Sequence, residues 1–80
     1  MLLSEAIKLV EAELRSAQQR YGCIHSTHEG YAVIKEELDE AWDWIKANNT
    51  RGARKEIVQV AAMCFRFLID LPEDDGEDKE

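Results

Sequence analysis

The sequence predicts an all-α protein of three helices, and three observations carry that expectation. Apolar residues recur at alternating steps of four and three, as at Leu3, Ile7, Val10, Leu14, Ala17 and Tyr21; that spacing keeps them on one helix face. Helix start and stop signals divide the chain at Gly22 to Ser26 and at Asn48 to Thr50, and Pro72 ends the pattern. The run from Ile57 to Ile69 has eleven apolar residues of thirteen, all but Gln59 and Arg66. A helix apolar nearly all round is a buried one.

The first helix is expected from about Ser4 to Arg20. Ser4 can cap it, and Glu5 suits the positive end of the helix dipole. Arg15, Gln18, Gln19 and Arg20 fall outside the apolar stripe, as on a packing helix with a wet outer face. Gly22 is the expected stop. Ser26-Thr27-His28-Glu29 then matches a capping box, serine at the cap and glutamate three on. The second helix is expected from Thr27 to near Ala47, with Tyr31, Ile34, Leu38, Ala41 and Ile45 as its main apolar stripe. Asn48-Asn49-Thr50 forms the turn, with Thr50 able to cap the third helix, and Pro72 stops that helix at Leu71. Two partner helices from one chain cannot cover every side of the third, so a second copy is expected to cover the rest, in a homodimer or homotetramer that completes a helical bundle.

Eighty residues make one small domain. Residues 1–72 form the helical part. The segment 73–80 carries six acids and one lysine and is expected to be a solvated, disordered tail. A net charge of −7 argues against a nucleic-acid polymer as partner. Cys23 and Cys64 are far apart and in no CxxC pattern, so reduced thiols in a cytoplasm are expected. No basic segment followed by an apolar run marks a secretory signal, and no apolar stretch reaches the ~18 residues of a membrane span.

The chemistry concentrates in the hairpin of the second and third helices. Glu36, Glu37 and Glu40 lie on the first of these, Glu56 and Gln59 on the second. Residues three apart share a face, roughly 4.5 Å apart along the axis. Folded about Asn49, the two pairs Glu37/Glu40 and Glu56/Gln59 come to within about one turn of the same height. Three carboxylates and an amide can then converge between antiparallel helices. Such a cluster raises its own pKa values and favours a cation, and oxygen ligands select a hard one, Mg²⁺ or Mn²⁺. The plain alternative is a solvated face. Glu56, Gln59, Met63, Arg66 and Asp70 recur at steps of three and four and can also be read as one solvent stripe.

Other residues admit two readings each. His25 and His28 suit a helix start, and a helix start attracts phosphate. Arg51, Arg54 and Lys55 either pair with acids of the second helix or meet phosphates beside Glu56. Trp42 and Trp44 either pack or stack on a base.

The pattern Glu36-Glu37-x-x-Glu40, fifteen residues, then Glu56-x-x-Gln59 resembles the EExxE and ExxD motifs of the MazG-like all-α nucleoside triphosphate pyrophosphohydrolases. The text HEGYAVIKEELDE and RKEIVQVAAMCFRFLIDL is similar to the short, often phage-borne members. The resemblance covers roughly His25 to Leu71. It implies a Mg²⁺-dependent hydrolase that cuts a nucleoside triphosphate between the α and β phosphates. By the same resemblance Glu37, Glu40 and Glu56 are metal ligands, joined by Gln59, and Glu36 is a ligand or a base near the attacking water. His28, Arg54 and Lys55 are the candidate substrate contacts. Gln59 departs from the pattern, which has Asp there. An amide oxygen ligates without adding charge. Two readings therefore stand: an enzyme on a nucleoside triphosphate, or a helical oligomer that kept the scaffold and binds nucleotide or a protein partner.

Overall fold

In a computed structural model that describes residues 1–73, the chain forms three helices: α1 (Leu3–Arg20), α2 (Thr27–Lys46) and α3 (Thr50–Asp70). The acidic segment expected to be a tail lies, from residue 74 on, outside the described residues. Among the described residues no helix is long and apolar enough to cross a membrane, and Cys23 and Cys64 are free thiols.

The caps explain the boundaries. Leu2, not Ser4, is the cap of α1: the Glu5 carboxylate reaches back to accept from the Leu2 N–H at 2.8 Å, so the helix gains its first turn without a serine. Ser26 caps α2 as expected, its hydroxyl accepting from the Glu29 N–H at 3.0 Å. The Glu29 carboxylate returns to the His25 N–H at 2.7 Å instead of to Ser26. Asn49, not Thr50, caps α3 through a 2.8 Å bond from the Gly52 N–H. Asn48 turns the chain with φ 59°, a left-handed conformation that Asn tolerates better than most residues.

α3 is the central element and packs against both others, while no Cα of α1 comes within 8 Å of one of α2. α2 and α3 are antiparallel: Gly30 meets Phe67 at one end and Trp44 meets Gly52 at the other. α1 runs parallel to α3, with Met1 beside Arg54 and Ile24 beside Asp70. The core is thin. Leu14, Ala17, Ala62 and Met63 form it, with Val33 and Ile34 packed against them.

Two expected faces are corrected. On α2 the face against α3 runs through Gly30, Val33, Ile34 and Ala41. Tyr31, Leu38 and Ile45, expected in the buried stripe, are 47–64% exposed. Small residues decide this, because Gly30 and Ala41 let α3 approach where bulkier side chains would hold it off. Glu37, one turn before Ala41, is thereby drawn toward the seam. The second correction concerns α3. Its supposed solvent stripe is an inner face: Met63 is 4% and Arg66 5% exposed. Conversely Phe65, Leu68 and Ile69 of this nearly all-apolar helix are exposed, Leu68 by 75%.

The close approach at Gly30 makes a direct prediction. A Cβ there would fall on the Phe67 ring, 2.8 Å from its Cε2 and closer still to Cδ2. Gly30→Ala is expected to destabilise the fold by about 1–3 kcal/mol despite its better helix propensity, read as a lower urea midpoint. A neutral or stabilising outcome would show that the α2–α3 contact is looser there.

Candidate functional site

Three of the expected carboxylates converge. One carboxylate oxygen each from Glu37 and Glu40 on α2 and Glu56 on α3 lie within 4.8 Å of one another. The spacing of three residues stacks Glu37 and Glu40 on one side of α2, and the hairpin brings Glu56 across from them. Glu40 is exposed, while Glu37 and Glu56 are half-buried. The Oε1 atoms of Glu37 and Glu56 are buried and have no hydrogen-bond partner among the described residues. A buried acceptor without a donor costs roughly 1–3 kcal/mol, so the site is not explained by its own packing.

Charge reinforces this. Glu37 is pushed up from 4.5 to about 7, chiefly by burial, then by the neighbouring carboxylates of Glu40, Glu56 and Glu36. None of the ion pairs among the described residues involves Glu36, Glu37, Glu40 or Glu56; Lys35 and Lys46 pair with Asp39 and Asp43 instead. The expected pairing of Arg51, Arg54 and Lys55 with acids of α2 is not found there either. Arg54 reaches the Met1 sulfur at 3.8 Å.

The cluster opens on a groove of about 570 Å³ between all three helices. Its walls include Glu36, Glu37, Glu40 and Gln59, so the amide expected beside the carboxylates is present at the same groove. Arg54 and Lys55 line a neighbouring furrow that shares Gln59 and Glu13 with it. His28 sits exposed on the first turn of α2 and is not among the groove's lining residues, whereas His25 is. A larger apolar groove of about 710 Å³, near Ile45, Ile57 and the α2–α3 turn, has no acid among its described lining residues.

Sequence reading passed over the far end of the acidic groove, where Arg20, Tyr21 and Arg66 lie. The Arg66 guanidinium donates to the Gly22 carbonyl at 2.5 Å and stands 3.9 Å from Asp70, whose carboxylate accepts from the Ile24 N–H at 2.9 Å. Two side chains one turn apart on α3 thus pin the α1–α2 connection that walls the groove. A signal existed: Gln59 and Arg66 interrupt an apolar run seven residues apart, two turns of one face.

No family model, curated protein or solved structure matches this chain.

Proposed function

We propose that this chain is a Mg²⁺-dependent nucleoside triphosphate pyrophosphohydrolase of the MazG-like kind, acting as a homo-oligomer. The observation that carries the reading is the trio Glu37, Glu40 and Glu56, with its two orphaned buried oxygens. Oxygens within 4.8 Å of one another need only a small side-chain rotation to share a Mg²⁺ with bonds of about 2.1 Å. Acidic oxygen donors without nitrogen or sulfur suit that ion, or Mn²⁺. Glu37, Glu40 and Glu56 would hold it, with the Gln59 amide as a neutral addition.

Bound there, the ion supplies positive charge to the phosphates and makes a water more acidic. The remaining work falls to the chain. Glu36, on the groove wall beside the trio, takes a proton from the attacking water. The groove, at about 570 Å³, lies in the size range of small-molecule sites. Lys55, along the shared furrow, offers charge to a departing pyrophosphate.

Gln59 supports the second reading, a scaffold that binds nucleotide or a protein partner without turnover. The test is pyrophosphate release from ribo- and deoxynucleoside triphosphates with Mg²⁺, alongside a calorimetric Mg²⁺ titration. Release with metal binding supports the enzyme; nucleotide binding without release supports the scaffold; the absence of both release and Mg²⁺ heats removes the enzyme reading. Gln59→Asp is expected to tighten the Mg²⁺ complex by about tenfold, since it adds a full ligand charge. Unchanged heats would remove Gln59 from the ligand set.

The oligomer is proposed from the surface. Among the described residues no large side chain is fully buried, while Leu3, Ile7, Leu38, Trp42, Phe65 and Leu68 are all exposed. Apolar exposure on this scale marks an interaction surface. Light scattering at micromolar concentration is expected to give a multiple of 9.2 kDa; a monomer mass refutes the oligomer.

A further inference from the structure

The end of the groove away from the acids has a different character, and the nucleotide reading above leaves it unassigned. Tyr21 caps the C-terminus of α1 in an extended conformation, φ −127°. The Arg20 and Arg66 guanidinium carbons lie 5.0 and 5.8 Å from the centre of its ring, yet the residue is 55% exposed. Both cations are already balanced. Arg20 is 3.0 Å from Glu13, and Arg66 has the Gly22 carbonyl and Asp70. Among the described residues this end therefore offers no free positive charge to a phosphate. It offers planar, polarizable surfaces, the ring and the guanidinium of Arg20, which suit an uncharged aromatic ring.

Distance agrees. Glu56, in the acidic trio, and Arg66, against Tyr21, are ten residues apart on α3, or about 15 Å of helix axis. Glu36 and Glu37 line the same groove as Tyr21 and Arg66 and lie nearer to Arg66 than Glu56 does, so the sugar and the α- and β-phosphates of a nucleotide cover the span from ring to trio. Resting on the nucleotide reading, we propose that the Tyr21 end of the groove binds the nucleobase, stacked on the Tyr21 ring and the Arg20 guanidinium. The phosphates then point toward Glu37, Glu40 and Glu56.

Calorimetry with Mg²⁺ present tests this, using adenosine, guanosine, cytidine and uridine monophosphates and, as a probe without a base, inorganic triphosphate. Tyr21→Ala is expected to weaken the best-bound monophosphate about tenfold, the scale of one lost base–aromatic stack. Tyr21→Phe keeps the ring and should stay close to wild type. Both variants should bind inorganic triphosphate and Mg²⁺ as the wild type does. The proposal is overturned if Tyr21→Ala leaves the monophosphates unaffected, if it weakens inorganic triphosphate equally, or if the wild type binds none of the monophosphates. The two readings fail separately. Normal Mg²⁺ heats with Tyr21-independent nucleotide binding sink the base site alone. Tyr21-dependent binding without Mg²⁺ heats sinks the metal site alone and supports the base site.

Discussion

Replacing Glu37 with Gln is expected to abolish measurable Mg²⁺ binding and, in the same protein, to remove a pH dependence of stability. The loss of affinity should exceed about 100-fold, because even residues that only support a ligand cost 10- to 100-fold when changed. The pH effect has a definite sign. Glu37 titrates near 7 in the folded chain against an ordinary value of 4.5. Between those limits the native state holds more protons than the unfolded one, so stability falls as pH rises. The favourable contribution is complete below about pH 4.5 and gone above about pH 7. In chelator, the thermal midpoint of the wild type should therefore decline from pH 5 to pH 8 more steeply than that of Glu37→Gln. The variant should be the more stable protein at pH 8. Mg²⁺ should reverse that order at pH 8 by giving the wild-type carboxylates a cation. Protons compete for the same oxygens, so wild-type Mg²⁺ affinity should weaken toward tenfold per unit below pH 7. Parallel pH curves for the two proteins would show that Glu37 is not held in the acidic cluster described.

Arg66→Met is expected to cost a large share of the stability of the fold. The Arg66 and Asp70 side chains are 6% and 10% exposed, and their nearest approach is 3.9 Å. Removing one partner of a buried pair typically costs 3–5 kcal/mol. Asp70 keeps its bond from the Ile24 N–H, so about 3 kcal/mol is the expected loss. A domain of this length has roughly 4–12 kcal/mol in all, so the variant should unfold at a much lower urea concentration. Arg66→Met combined with Asp70→Asn should recover a good part, since Asn still accepts from Ile24 and leaves no unpaired charge. A loss below about 1 kcal/mol would place Arg66 in solvent and release the α1–α2 connection from α3.

How much of this was legible in the sequence varies by residue. Ser26 and Glu29 announced the start of α2 because a cap is a contact between residues three apart. Pro72 announced the end of α3 for a similar reason: the obstacle is in the backbone itself. The height match of Glu37, Glu40 and Glu56 followed from helix rise and a short turn. Ser4 and Thr50 misled because several residues near a helix start can serve, and only the actual path of the chain selects Leu2 and Asn49.

Which way each face turned was a different matter. Tyr31, Leu38 and Ile45 are as apolar as any core stripe, yet α3 settled on Gly30 and Ala41 because close approach outweighs side-chain bulk there. Arg66 read as polar and therefore exposed, and the fold buried it to fasten a loop 44 residues away in sequence. Helix lengths, stops and the spacing of the acids are set by interactions within a few residues, so the chain by itself determined them. The rotation of each helix about its axis depends on which side chains let two backbones come closest. Tertiary packing alone decided that, and with it the burial of Glu37 and the character of the groove's two ends.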